Sequence, residues 1–197
     1  MLGTLLAIAV ALQSPPSETQ AVAVGVRLGL DRTAIPYSVY EHTGTGGVVG
    51  AHASVPIWQH LSVQPEISFA SKEFVLSYRN TDRVRASFLE LAALAVVPTA
   101  DQPPYLFVGA GPALAFRVGG IPRVTPPYGS QPDDWRRADV EVVVAGGILA
   151  KVSERTRFRL DVRYVHGLLD LDPDVDHSDP RVRTWQFGCA VEWRSKR

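Results

Sequence analysis

The sequence predicts an all-β chain folded as a closed, antiparallel, up-and-down transmembrane β-barrel of about eight strands. Three observations carry that prediction. Residues 21–30 read Ala-Val-Ala-Val-Gly-Val-Arg-Leu-Gly-Leu, so Val22, Val24, Val26, Leu28 and Leu30 share one side of an extended chain while Ala23, Gly25, Arg27 and Gly29 share the other. The same two-residue alternation returns in later segments. The connections between segments alternate long and short, as in a barrel whose outer rim carries loops and whose periplasmic rim carries turns.

Composition agrees with this class. The chain has 197 residues, 46% hydrophobic and 20% charged, with 20 Lys and Arg against 20 Asp and Glu, which offers neither a basic nucleic-acid surface nor an acidic tail. A mean hydropathy of +0.03 is too low for a helical membrane protein and suits a barrel in which every second residue meets lipid. Met1 to Ala11 is an apolar run with small residues at Ala9 and Ala11, ahead of Pro15 and Pro16, and reads as an export signal despite having no Lys or Arg. Residues 1–20 are thus expected to be signal peptide and short leader, and residues 21–194 the barrel domain. Cys189 is the single cysteine, which excludes an internal disulfide and a cysteine-based metal site.

The first strand, already described, covers about 21–30. In the second, about 47–57, Val49, Ala51, Ala53, Val55 and Ile57 oppose Val48, Gly50, His52 and Ser54. The third sets Leu61, Val63, Pro65, Ile67 and Phe69 against Ser62, Gln64, Glu66 and Ser68, a period of two and not the 3.6 of a helix. The fourth, about 85–97, is mostly Ala, Leu and Val; its facing is ambiguous, with Phe88-Leu89-Glu90-Leu91 turning Glu90 inward. In the fifth, 105–116, Leu106, Val108, Ala110, Pro112, Leu114 and Phe116 oppose Tyr105, Phe107, Gly109 and Gly111, and Pro112 predicts a bulge or an end of regular pairing. The sixth, about 139–151, sets Val140, Val142, Val144 and Ile148 against Asp139, Glu141, Val143 and Ala145. In the seventh, Phe158, Leu160, Val162 and Tyr164 alternate with Arg157, Arg159, Asp161 and Arg163, a charged row that must be enclosed if the apolar row meets lipid. The eighth, 183–193, alternates Trp185, Phe187, Cys189, Val191 and Trp193 with Thr184, Gln186, Gly188, Ala190 and Glu192.

Long polar connections are expected at about 31–45, 71–83, 117–138 and 169–181, and short ones at 58–60, 98–103 and 152–156. An exported chain that starts in the periplasm puts the four long connections outside. Trp58, Tyr105, Phe158 and Trp193 then lie near the periplasmic rim, where amphipathic aromatics anchor at the lipid interface.

At Pro65-Glu66-Ile67-Ser68-Phe69, Gly109-Ala110-Gly111-Pro112-Ala113-Leu114 and Arg159-Leu160-Asp161-Val162-Arg163-Tyr164-Val165-His166-Gly167-Leu168, the chain resembles the PorT-like outer-membrane β-barrel domain family, over about residues 21–194. The resemblance implies an eight-stranded barrel of the bacterial outer membrane, in a family of which one branch serves a protein secretion system. The chain departs from such barrels by ending Trp193-Arg194-Ser195-Lys196-Arg197 and not on a terminal aromatic. Expected partners are outer-membrane lipid and lipopolysaccharide, the barrel assembly machinery and, through that branch, secretion-system proteins.

An eight-stranded barrel has an interior that side chains fill, so a general porin is not expected. Arg27, Glu66, Glu90, Glu141, Asp161, Arg163 and Glu192 bring both signs of charge to that interior, where ion pairing is their ordinary role and an ion path the sharper one. His52, Ser54 and Glu66 supply the groups of a nucleophilic esterase, with a spacing similar to that of outer-membrane lipid A deacylases. The Asn that follows the serine in those enzymes is missing, and parity directs His52 and Ser54 away from lipid, so no enzyme is expected. Asp170, Asp172, Asp174 and Asp176, followed by His177 and Asp179, offer oxygen ligands at alternate positions that would suit calcium. Val175 stands where a calcium loop of the EF-hand type needs glycine and Arg181 where it needs glutamate, which favours a solvated acidic loop. The connection from Arg117 to Ala138 carries Tyr128, Trp135, Arg136 and Arg137 among prolines and could dock a partner or lipid phosphate. No cofactor motif is present: Gly109-Ala110-Gly111 lies within a strand and lacks the helix that a dinucleotide site needs. The expected role is therefore structural or interactive, through the outer loops. A soluble lipocalin-like binder, with the apolar face turned inward, is the alternative from another class.

Overall fold

A computed structural model describes residues 21–37, 40–58, 60–75, 83–98, 105–120, 136–169 and 181–195. The export signal read at Met1 to Ala11, the aspartates from Asp170 to Asp179 and the stretch from Pro122 to Trp135 lie outside the described residues. Eight strands form: β1 (Ala23–Tyr37), β2 (Tyr40–Trp58), β3 (Leu61–Val75), β4 (Arg83–Pro98), β5 (Tyr105–Gly119), β6 (Ala138–Lys151), β7 (Thr156–Gly167) and β8 (Arg183–Arg194). Each pairs antiparallel with the next, and β1 pairs with β8 from Ala23↔Arg194 to Ala34↔Arg183, which closes the barrel. Closure satisfies the backbone groups that an open edge would expose to hydrocarbon.

The alternation has a definite sense. Val24, Val26, Leu28, Leu30, Val144, Leu160, Val162 and Phe187 are exposed on the outside, while Arg27, His52, Glu141, Arg159, Asp161 and Arg163 are buried within. A lipocalin-like arrangement, with apolar residues lining a pocket, is thereby reversed. The apolar row begins at Val22, just ahead of β1, runs to Leu30 and stops at Arg32. This length matches the 9 to 11 residues with which a tilted strand crosses a bilayer, about 30 Å thick in its hydrocarbon core. Registers stack such rows side by side: Leu28 lies opposite Cys189 and Cys189 opposite Leu160, so the thiol sits on the lipid face as a small hydrophobe.

One expectation needs correction, and another holds in part, since regular pairing lapses at Pro112 without a bulge. The connection placed at 31–45 is in fact the continuation of β1 and β2, paired as far as Tyr37↔Tyr40, and residues 71–75 belong to β3. Runs such as Asp31-Arg32-Thr33 and Ser71-Lys72-Glu73 have lost the apolar alternation, so the contrast that marks a strand disappears there while the pairing continues. Pro112 creates no bulge: it sits in register opposite Val142, and only its β4 side lapses, between Ala92↔Ala113 and Ala95↔Ala110, with the register kept. Pro65 behaves likewise toward β2, where pairing lapses between His52↔Glu66 and Val55↔Val63. Each proline gives up one donor on one side of its strand. The register shifts fall at Ser87/Phe88 and Pro56/Trp58.

Candidate functional site

The barrel interior holds a wall of apolar side chains and two groups of charges. Leu94, Val96, Phe107, Ala113, Val143, Ala145 and Val165, from β4 to β7, form a continuous buried cluster. Facing it is a network at mid-barrel whose hub is Asp161 on β7. Arg27 donates to Asp161 Oδ1 from Nε at 3.1 Å and Nη2 at 3.0 Å, Arg163 Nε donates to the same oxygen at 2.9 Å, and Arg159 Nε lies 3.4 Å from Oδ2. Arg163 continues to Glu66 on β3, through Nη2 at 3.0 Å and through Nη1, and Arg159 Nη1 donates to Gln64 Oε1 at 2.8 Å. In an eight-stranded cylinder β3 and β7 stand on opposite sides, so these contacts span the diameter.

Two lumen glycines make room for contacts that skip a strand. Asp161 lies opposite Gly188 of β8, and a Cβ on Gly188 would meet Arg27 Nε and Nη2 at 2.7 Å. Without that Cβ, the guanidinium of β1 crosses β8 to reach β7. Gly25 lies opposite both His52 and Glu192, and His52 Nε2 reaches over it to Glu192 Oε1 at 3.1 Å. A Cβ there would stand 2.6 Å from His52 Cε1.

The second group sits nearer the long connections. Lys72 Nζ lies 2.6 Å from Glu90 Oε1 and 3.3 Å from Glu141 Oε1, and 5.1 Å from the centre of the Phe88 ring. Ser68 Oγ donates to Glu90 Oε2 at 3.3 Å. Asp31, only 2% exposed, stands in the same region with neither carboxylate oxygen hydrogen-bonded among the described residues.

All seven charges expected in the lumen lie on its inner face: Arg27, Glu66, Asp161, Arg163 and Glu192 meet in the mid-barrel network, and Glu90 and Glu141 meet around Lys72. Asp31 and Lys72 join this interior from stretches whose sequence pattern reads as connections, so alternation gives no sign of their facing. The trio of His52, Ser54 and Glu66 is not assembled as a relay. His52 and Glu66 are register neighbours, yet the imidazole is taken by Glu192 and the carboxylate by Arg163 and Gln64. Among the described residues no group of three or more His, Cys, Asp or Glu is placed to hold a metal ion. Of the four rim aromatics, Trp58, Phe158 and Trp193 are exposed outward. Tyr105 has the parity of Phe107 and turns into the mouth of the barrel, with the Arg157 guanidinium 5.3 Å over its ring. The opposite rim carries Trp185, whose ring centre is 5.0 Å from that of Tyr164.

Comparison with curated proteins returns no significant match. Among solved structures, the chain is similar to neisserial surface protein A (NspA) of Neisseria, with 13% identity, a TM-score of 0.54, and 88% of this chain and 99% of that one covered. It is also similar to the outer membrane protein OprG of Pseudomonas aeruginosa, with 9% identity, a TM-score of 0.52, and 89% and 98% covered. At such identities the shared property is the fold. A profile of the outer membrane protein beta-barrel domain matches residues 13–172, which, with the lipid-facing exterior, shows that the chain belongs to this family and resides in the bacterial outer membrane.

Proposed function

We propose that this protein is a plugged outer-membrane barrel that works through its loop end, as a structural or interaction protein and not as a general porin. The observation that supports this is the pair of contacts across the full width of the lumen, Arg163 to Glu66 and Arg159 to Gln64, backed by the apolar cluster. A water-filled path would have to break buried, charge-assisted hydrogen bonds. Reconstitution into planar bilayers tests it: no steady conductance steps are expected, and reproducible long-lived openings would refute the plug.

Lipopolysaccharide is the partner that the loop end favours. Arg32, Arg85 and Arg183 point outward just beyond the apolar band, where guanidiniums can take lipid phosphates two bonds at a time. Purification from cells in mild detergent should retain lipopolysaccharide, and the triple substitution of these arginines by Gln should reduce it. A place in the PorT-like branch, with an accessory role in protein secretion, rests on the three motifs in β3, β5 and β7; co-purification of secretion components would support it. Catalysis on lipid A is not part of the proposal, since the carboxylate and imidazole it would use are engaged elsewhere. Ser54→Ala should leave lipid A unchanged in mass spectra of expressing cells.

A further inference from the structure

We propose that the turn-end mouth of the barrel binds a small organic anion, a carboxylate borne on a flat apolar group. The cavity there has a volume of about 270 Å³, just below the usual range of small-molecule sites. Its charged lining is unbalanced, with Arg157, Arg159 and Arg194 against Glu192.

Arg159 forms the floor and is 1% exposed. Its Nη1 serves Gln64 and lies 3.6 Å from Glu192, its Nε lies 3.4 Å from Asp161 Oδ2 without a hydrogen bond, and Nη2 has no hydrogen-bond partner among the described residues. Nε of Arg194 is also without one. A buried guanidinium donor costs free energy until an acceptor meets it, and a carboxylate brings both the charge and the acceptor oxygens that Arg159 Nη2 lacks.

The remaining wall selects the rest of the ligand. The Arg159 guanidinium lies 3.9 Å from the centre of the Phe107 ring and Arg157 lies over Tyr105, so both cations are held against aromatic faces. Val96 and Leu149 complete an apolar side. This mouth is the end with short turns, the periplasmic rim in barrels of this kind, so the ligand would come from the periplasm. The inference concerns the end opposite the loops and stands independently of the role proposed for them.

The test uses the full chain in lipid nanodiscs and fluorine NMR of 4-fluorobenzoate. Saturable broadening is expected, absent with the neutral methyl ester and resistant to an equal concentration of inorganic phosphate. Arg157→Gln and Arg194→Gln lie at the rim outside the Asp161 network and should each weaken binding by about ten-fold, the usual worth of one charge-assisted hydrogen bond. Arg159→Gln should abolish it, with the heat-modifiable gel shift reporting whether that barrel is folded. Lack of saturation in the wild type, equal binding of the ester, full displacement by phosphate, or unchanged affinity in both rim variants would each overturn the proposal.

Discussion

The two charge groups inside the barrel answer the same problem in opposite ways. At mid-barrel three arginines, Arg27, Arg159 and Arg163, meet three carboxylates, Glu66, Asp161 and Glu192, and the contacts interlock so that Asp161 is shared. Toward the loops a lone lysine, Lys72, is set among Glu90, Glu141 and Asp31, and Asp31 has no hydrogen-bond partner among the described residues. A guanidinium keeps its proton at any working pH, whereas a carboxylate can take one up. The first group must be balanced by geometry; the second can be relieved by protonation.

The largest expected effect tests that contrast. Asp161→Ala leaves guanidiniums buried without their common partner and should cost about 3–5 kcal/mol in urea unfolding from lipid vesicles, with no relief between pH 8 and pH 5. Lys72→Met should cost a similar amount at pH 8 and distinctly less at pH 5, because burial pushes the Asp31 carboxyl up to about 6, so that a carboxylate left without the lysine takes up a proton in that window. Equal losses at both pH values for Lys72→Met would erase the distinction. Val162→Arg, on the lipid face beside the first group, should cost about 2–4 kcal/mol by the same measurement, and a negligible loss would mean that this row does not face the bilayer centre. Gly188→Leu pushes a side chain into the Arg27 guanidinium and should cost about 1–3 kcal/mol. Asp31→Asn is expected to be smallest and opposite in sign, a gain within about 1 kcal/mol, since the charge it removes has no hydrogen bond to lose.

The same contrast separates what could be read in advance from what could not. The mid-barrel charges lie within the lipid-spanning part of each strand, where an apolar partner row declares their facing: Asp161 is inward because Leu160 and Val162 are outward. Asp31 and Lys72 sit where the strands rise out of the membrane. Next to Arg32, or between Ser71 and Glu73, no apolar row remains to declare a face, and the stretch looks like a loop. Parity also names a face and never a partner. That His52 would bond Glu192 and not its register neighbour Glu66 depends on the β1–β8 closure and on Gly25 between them. A glycine in the inward row with an ionisable residue opposite it on either side is a signal that could be sought, once the register is known.

The seam between β1 and β8 joins the earliest strand to the last, and Ser195 N–H donates to the Val22 carbonyl at 3.0 Å just past its lower edge. Arg27 depends on that seam to reach Asp161, as His52 does to reach Glu192. A nascent sheet lacking β8 would present its ionic row with nowhere to hide, so threading into the bilayer strand by strand is an unfavourable route. Enclosure of those charges therefore waits on the docking of β8 against β1.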